Sequence, residues 1–264
     1  MPGARAAGIA VVVLLLAFLT LPSLVVVLAS FNPTALMAVP PAGLSLRWYE
    51  HALTYPQFRR AAVNSLIVTS VSVATALPLG TAAALALVRY GVGSSRVWAA
   101  LLLSPLVVPG VAVGLGFLIL GARLGLLANP SVLIVAHVVL VMPFVIRSVM
   151  VSVANLDPML ERAALSLGAR PWRVFVRITL PLLRPGLFAA LLFAVIVSVN
   201  EFVVSLFIST RVTEILPVAM FTYVVNYTDP TMAAVSTLFI GATFVAVFAA
   251  DRLLHLSRVF QIHN

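Results

Sequence analysis

The sequence predicts an all-α integral membrane protein with six transmembrane helices. Its composition is 62% hydrophobic and only 9% charged, whereas soluble domains carry about 25% charged residues. Six apolar runs each reach the roughly 20 residues that a helix needs to cross the hydrocarbon core. The runs are continuously apolar, without the alternation typical of a membrane β-barrel. Lipid is therefore the expected solvent for most of the surface.

The six predicted spans form one transmembrane domain over residues 1–264. They cover residues 8–31, 62–88, 97–120, 131–154, 186–209 and 232–254. The first run follows a basic residue, Arg5, as a signal peptide would, but its apolar part exceeds the 7–15 residues of a signal core. We therefore interpret it as a retained helix.

The distribution of arginine predicts that both termini lie in the cytoplasm. With that orientation ten arginines fall in inner segments and five in outer segments, and Arg147 lies within the fourth run. An excess of basic residues marks the cytoplasmic side. The net charge of +9 thus indicates membrane topology. A nucleic-acid interface is disfavoured because no basic amphipathic face or aromatic stacking patch accompanies the charge.

Two missing residue types exclude several chemistries. The chain has no Cys and all sixteen of its basic residues are Arg. A nucleotide-binding P-loop needs a lysine, and thiolate catalysis or thiolate metal ligation needs cysteine. The four His and seven acids show no metal-ligand spacing. We expect no catalytic residue, metal or cofactor in this chain.

The segment 155–185 predicts two short helices joined at a glycine. Asp157 and Pro158 are a typical helix start, and Gly168 is suited to the left-handed residue that ends a helix. Pro171 begins the second element and Pro181 is expected to end it. A basic loop on the cytoplasmic side accounts for the arginines alone. It does not account for the apolar groups Met159, Leu160, Leu165, Leu167, Trp172 and Phe175, which need a surface to cover them.

This segment resembles the EAA loop of binding-protein-dependent ABC permeases. The pattern of that family is Glu-Ala-Ala, three residues, Gly, nine residues, Ile, one residue, Leu-Pro. The matching positions here hold Ala163, Ala164, Gly168, Ile178, Leu180 and Pro181. Arg162 occupies the position of the family's Glu, and Glu161 is the nearest acid. Whether Glu161 compensates for Arg162 is open at this point.

The resemblance implies an ABC type I importer permease fold in which this loop forms a coupling helix. In that family the helix docks on a dimeric ATPase subunit, which binds the ATP and Mg²⁺. A second permease, usually a distinct one, completes the solute pathway in the bacterial inner membrane, and a solute-binding protein delivers the solute from outside. The residues implied in coupling to the ATPase are Met159, Leu160, Glu161, Arg162, Ala163, Ala164, Leu167 and Gly168.

Three further segments resemble permeases of the spermidine and putrescine type. They are residues 45–50 (Ser-Leu-Arg-Trp-Tyr-Glu), 200–205 (Asn-Glu-Phe-Val-Val-Ser) and 214–217 (Glu-Ile-Leu-Pro). The resemblance implies a polyamine or a related small solute. Related subunits take up opines, iron, thiosulfate and phosphonates, and the sequence does not choose among these solutes.

Glu201 is the main candidate for the solute pathway, together with Asn200 and Ser198. An ionisable side chain at membrane depth is costly and is a functional candidate by default. A carboxylate in the pathway suits a cationic solute. The structural alternative is that Glu201 pairs with Arg147 or another helix. His137, in the fourth run, is more simply a hydrogen-bonded residue within a helix bundle than a ligand.

Two other classes of function compete with the importer. A stand-alone secondary transporter also uses intramembrane ions, but it needs no docking loop with exposed apolar groups. A membrane enzyme that uses Glu201 and His137 lacks any nucleophile elbow or ligand-spaced histidine pair. The sequence therefore favours a transporter subunit that contains no enzyme activity of its own.

Overall fold

The structure is a computed structural model that describes residues 2–35, 38–89 and 95–254. These ranges are helical, without a β-strand among them. The helices are α1 (Pro2–Ala29), α2 (Arg47–Thr54), α3 (Pro56–Arg89), α4 (Ser95–Leu103), α5 (Gly110–Arg123), α6 (Pro130–Ala154), α7 (Pro158–Ser166), α8 (Pro171–Val174), α9 (Leu180–Leu182), α10 (Arg184–Val199), α11 (Val203–Ile208), α12 (Leu216–Asn226) and α13 (Thr231–Leu254).

The chain divides into two compact units. One comprises Met1–Arg59 with Ala219–Asn264, and the other comprises Arg60–Val218. In the first unit α13 packs against α1 and α2. The side chains of residues 8–25 of α1 are all exposed, and a helix that is apolar all round needs lipid or protein around it. This helix is therefore suited to face lipid.

The second unit is built around α6, which packs against α10. Its core joins buried residues of α3, α6 and α10, including Ala76, Val145, Ile146 and Ala194. Small residues let these helices approach closely, as is common in membrane bundles. A Cβ added at Gly80 of α3 would lie 2.6 Å from Val145 Cγ1, and one at Gly186 of α10 would lie 2.6 Å from Ser152 Cβ. Both glycines are therefore packing positions.

The third predicted span is not one continuous helix. Arg96–Leu106 and Gly110–Arg123 meet at an angle of 93°, so the predicted span over 97–120 contains a sharp bend. Pro105 and Pro109 supply the reason, because proline removes a backbone donor and clashes with the preceding turn. After the bend, Gly110 and Gly114 of α5 lie against Val203 and Phe207 of α11, as their four-residue spacing predicts for a packing face.

The fifth predicted span is also broken. Helix α10 ends at Val199 and α11 begins at Val203, so the predicted span over 186–209 is interrupted at residues 200–202. The Asn200 side chain donates to the Ile196 carbonyl over 2.8 Å. Short polar side chains that bond the backbone in this way compete with helix continuation. The break lies where the sequence places its intramembrane acid.

The described residues contain three helices long and apolar enough to cross a membrane, or up to five if each bent pair counts as one span. The three are the helices of the first, second and fourth predicted spans. The second half of the sixth predicted span lies largely outside the residues whose side chains the structure describes. The six-span topology thus stays a prediction, and α12 is a helix that the sequence reading did not predict.

Candidate functional site

The segment 155–185 folds as two helical elements around a glycine, as predicted. Asp157 Oδ1 accepts a hydrogen bond from the Met159 amide over 2.9 Å, which caps α7. At the other end Gly168 has a φ of +83°, and the amides of Gly168 and Ala169 each donate over 3.0 Å to Leu165 and Ala164. These two bonds form a Schellman motif. A Cβ at Gly168 would meet nothing within 4 Å, so conformation rather than space requires glycine there.

Glu161 ties α7 to the rest of the second unit. Its carboxylate forms an ion pair with Arg89, the last residue of α3, and accepts a hydrogen bond from the Thr179 hydroxyl. The side chains of Arg89 and Glu161 are only 20% and 17% exposed. A nine-residue helix is not stable alone. The Glu161 contacts therefore supply much of what holds α7 in place.

Several apolar side chains of the segment are exposed. Met159 is 61% exposed, Leu167 is 89% exposed and Trp172 is 71% exposed, and Leu160 and Leu165 are exposed as well. Trp172 stacks on Phe175, at 5.8 Å between ring centroids. Contiguous apolar groups of this kind mark an interaction surface. Arg162 and Ala163 are also exposed, whereas Ala164 is half-buried.

The predicted end of the second element at Pro181 is wrong. The chain continues through a π-helical turn, Phe175–Thr179, into α9, which contains Pro181. The change of direction comes at Leu183, where Pro171–Leu182 and Arg184–Val199 meet at 64°. A π-turn before Pro181 opens the hydrogen-bond ladder where proline has no N–H to donate. Proline is therefore tolerated inside the element.

Glu201 lies at the break between α10 and α11. Its Oε1 atom accepts a hydrogen bond from the Val204 amide over 2.6 Å, and the side chain is half-buried. The carboxylate thus caps the first turn of α11. No ion pair with Arg147 is present among the described residues. Asn200 is exposed next to it.

Ser198 belongs to a buried hydrogen-bond network around His137. His137 Nδ1 lies 2.8 Å from Ser198 Oγ, and Nε2 lies 3.0 Å from Ser205 Oγ. Ser198 Oγ donates to Thr69 Oγ1 over 3.0 Å. Since the Ser198 hydrogen is used for Thr69, Ser198 must accept from Nδ1–H, and Nε2 is left to accept from Ser205. One imidazole on α6 therefore joins both sides of the break in the fifth span.

The sequence reading missed the partners of both candidate sites. Arg89 and Thr179 hold Glu161, and Thr69 and Ser205 complete the His137 network. Arg89 is 72 residues from Glu161, and Thr69 is 129 residues from Ser198. An arginine after an apolar run signals only the cytoplasmic side. No local pattern indicates which distant side chain such a residue contacts.

The first unit holds an aromatic cluster near Asp229, which the sequence reading also missed. The Tyr223 ring lies 5.4 Å from Tyr55 and 5.1 Å from Phe58. The Tyr223 hydroxyl donates to Asp229 Oδ2 over 2.8 Å. Burial acts to raise the pKa of Asp229, but hydrogen bonds from Thr231 and Tyr223 outweigh it and hold the pKa below its ordinary value. The contacts tie α12 to the residues that follow α2.

The structure offers no metal site within its described ranges, where no group of three His, Cys, Asp or Glu side chains is placed to hold an ion. The residues brought together are instead those of segment 155–185 and those of the polar break at residues 200–202. Both lie in the unit Arg60–Val218.

Comparison with known proteins identifies the family of the chain. Residues 4–257 match the family described as "Binding-protein-dependent transport system inner membrane component". The chain is 35% identical over 253 residues to the putrescine transport system permease protein PotI of Escherichia coli K12, covering 92% of this chain and 90% of PotI. It is 30% identical to the putative 2-aminoethylphosphonate transport system permease protein PhnV of Salmonella typhimurium LT2, covering 95% of each chain.

A solved structure shares the fold. It is the crystal structure of a bacterial ABC transporter involved in the import of the acidic polysaccharide alginate, with a TM-score of 0.71 and 16% sequence identity, covering 99% of both chains. A likeness at this identity speaks for the fold alone. The match over residues 4–257 and the 35% identity to PotI place the chain in the family of binding-protein-dependent transport system inner membrane components, as a permease subunit of an ABC importer.

Proposed function

We propose that the chain forms half of the solute pathway of an ATP-driven importer and that α7 is its coupling helix. The observation that carries this proposal is that α7 exposes apolar side chains while a half-buried ion pair between Glu161 and Arg89 holds the helix. A helix that only lay on the membrane surface would not need an ion pair to fix its position. Met159, Leu160, Arg162, Ala163, Ala164, Leu167 and Gly168 form or shape the docking surface, and Glu161 holds it.

The proposed arrangement in the membrane has six spans with both termini in the cytoplasm. In this arrangement the bent pair Arg96–Leu106 and Gly110–Arg123 counts as the third span, residues 186–209 form the fifth, α13 is the sixth, and residues 155–185 are cytoplasmic. A dimeric ATPase binds α7, and a solute-binding protein delivers the solute at the other face of the inner membrane. We favour a second, distinct permease as the partner, since family members usually pair two different permeases.

Co-purification followed by reconstitution tests this function. The chain, expressed with its neighbouring transport genes, is expected to retain an ATP-hydrolysing subunit in detergent. In liposomes, uptake should require that subunit together with external binding protein and internal ATP. Uptake by this chain alone would contradict the proposal and would favour a secondary transporter. Wild-type chain that never retains an ATPase would contradict it as well.

Glu201 is the proposed contact for a cationic solute, with Asn200 beside it. Glu201 is half-buried and lies at the break of the fifth span, where irregular backbone within a membrane is tolerated if it lines a cavity or is buried in protein. The names of PotI and PhnV both denote permeases for amines, and a carboxylate suits an ammonium group. Ser198 does not contact the solute in this proposal. It hydrogen-bonds His137 and so helps to set the geometry of the break.

Replacing Glu201 with Gln is expected to raise the KM for uptake of putrescine or a related amine by roughly tenfold, which corresponds to about 1.4 kcal/mol of lost interaction. Gln keeps an oxygen that can cap α11, so the fold should survive. Initial uptake rates at several solute concentrations measure the effect. Glu50→Gln, which makes the same change at an exposed carboxylate of α2, is the matched control and should keep the wild-type KM. Wild-type kinetics for Glu201→Gln at equal expression would remove the pathway role.

A second solute class follows from the likeness to PhnV. An aminoalkyl phosphonate carries an ammonium group and an anionic group, so it needs a cation in the pathway in addition to Glu201. Competition between putrescine and 2-aminoethylphosphonate for uptake distinguishes the two classes. If only one of the two compounds inhibits uptake, that compound belongs to the solute class that the chain carries. Opines, iron and thiosulfate serve as further competitors in the same assay.

A further inference from the structure

Arg162 and Glu161 are neighbours in α7 but point in different directions. An α-helix turns by about 100° per residue, and the Glu161 side chain faces Arg89 and Thr179. Arg162 consequently points away from these contacts and is exposed. Met159 lies three residues before Arg162 on the same outward side and is 61% exposed. The outward face of α7 thus combines an arginine with apolar groups.

The charge of this surface is predominantly positive. Segment 155–185 contains two acids, Asp157 and Glu161, and both carboxylates are engaged within the chain. Its arginines are exposed and make no ion pair among the residues that the structure describes. These arginines are Arg162, Arg170, Arg173, Arg177 and Arg184. Asp157, at the start of α7, is the one exposed carboxylate of the described segment, so the surface offers mainly cations and apolar groups.

We propose that the ATPase subunit docked on α7 presents carboxylates opposite Arg162, around an apolar cleft that receives Met159 and Leu167. The inference rests on the proposed coupling function and deepens it. In the resembled EAA pattern a Glu stands at the position of Arg162, and its natural partner is a cation. Here the polarity of that contact is reversed. Glu161 does not take over the family Glu's outward role, because it is turned inward to Arg89.

Complementary charge matters more at this contact than on an open surface. Docking removes water from the centre of the interface, which strengthens the attraction between an arginine and a carboxylate. Arginine also binds a carboxylate through two parallel hydrogen bonds. A cation opposite Arg162 would instead be repelled while partly desolvated, and like-charge contacts discriminate strongly against wrong partners. The polarity of α7 thus selects its ATPase.

Charge reversal with the full complex tests the inference. The probe is the ATPase subunit that co-purifies with the wild-type chain, identified by mass spectrometry and by ATP hydrolysis. Arg162→Glu is expected to weaken its binding by at least about tenfold. The affinity of Arg162→Gln for the ATPase should lie between those of the wild type and Arg162→Glu. It should also depend less on salt concentration, because salt screens the charge pair that this variant lacks. Arg123→Glu, on α5, makes the same change in net charge and should bind as the wild type does.

Reversing an ATPase carboxylate provides the second arm. Replacing the acids of its docking cleft by Arg, one at a time, should restore binding to Arg162→Glu and weaken binding to the wild-type chain. Equal or tighter binding by Arg162→Glu overturns the inference while leaving the coupling function standing. A wild-type chain that retains no ATPase defeats both. Size-exclusion profiles of each variant separate loss of docking from misfolding.

Discussion

Replacing Glu161 with Gln is expected to uncouple ATP hydrolysis from solute uptake. The change leaves the Arg89 guanidinium, which is 20% exposed, without its counter-charge. A half-buried ion pair stabilises a fold by more than a surface pair and by less than a fully buried pair. Its loss should therefore cost about 1–3 kcal/mol of stabilising free energy. The outward face of α7 stays chemically intact. The ATPase should therefore still bind, while its movement is no longer transmitted firmly to α3.

The measurement is the ratio of solute molecules taken up to ATP hydrolysed in liposomes, which should fall roughly tenfold, as expected for about 1.4 kcal/mol. Asp157→Asn removes one charge from the same helix but keeps a good N-cap, so it should retain wild-type coupling. The double variant Glu161→Gln with Arg89→Gln should recover part of the loss, because neither partner is left charged and alone. Unchanged coupling in Glu161→Gln would refute the proposed transmission through this pair.

Replacing His137 with Ala is expected to cause the largest loss of stability among the predicted substitutions. His137 is 1% exposed and bonds Ser198 and Ser205 through its two ring nitrogens. Its removal leaves a cavity and takes a partner from two buried hydroxyls. Together these costs amount to about 2–4 kcal/mol. The two sides of the break at 200–202 also lose their common contact, so uptake should fall more than expression does.

The thermal midpoint in detergent measures this loss, which should lower it by roughly 5–10 °C. His137→Gln keeps one donor and one acceptor and should lie between wild type and Ala. Ser70→Ala, one residue from Thr69 on an exposed face of α3, is the matched control. Replacing His137 by Leu together with Ser198→Ala and Ser205→Ala should regain stability without regaining uptake. A wild-type midpoint in His137→Ala would contradict the network.

Helix positions were predictable where hydrophobicity alone governs them. The fourth span was predicted at 131–154 and found at Pro130–Ala154, because an isolated apolar run of that length has few alternatives in a membrane. Pro105 and Pro109 mark candidate kinks in the third span, but the size of that bend and the break in the fifth span were not predicted, because an apolar run looks the same straight or bent. Proline marks candidate kinks, but Pro78 lies inside the helix Pro56–Arg89. Neighbouring helices decide which proline breaks the chain.

The coupling segment shows the same division at the level of single residues. Its helix start at Asp157 and its left-handed Gly168 follow from local chemistry, and both are confirmed. The end at Pro181 was wrong, because a π-turn absorbs the missing donor. That turn depends on contacts such as the one between Thr179 and Glu161, which connect residues 18 positions apart.

The sequence by itself determined that this chain is an apolar helical protein, and it carried the loop pattern that marks an ABC permease. Both conclusions depend only on composition and on the spacing of residues close together in the chain. Only the tertiary structure decided that Glu161 turns inward to Arg89, that Arg162 is left facing outward, and that His137 joins the two sides of the broken fifth span. These are pairings between distant residues, and they form only where packed helices bring buried polar groups within hydrogen-bond reach.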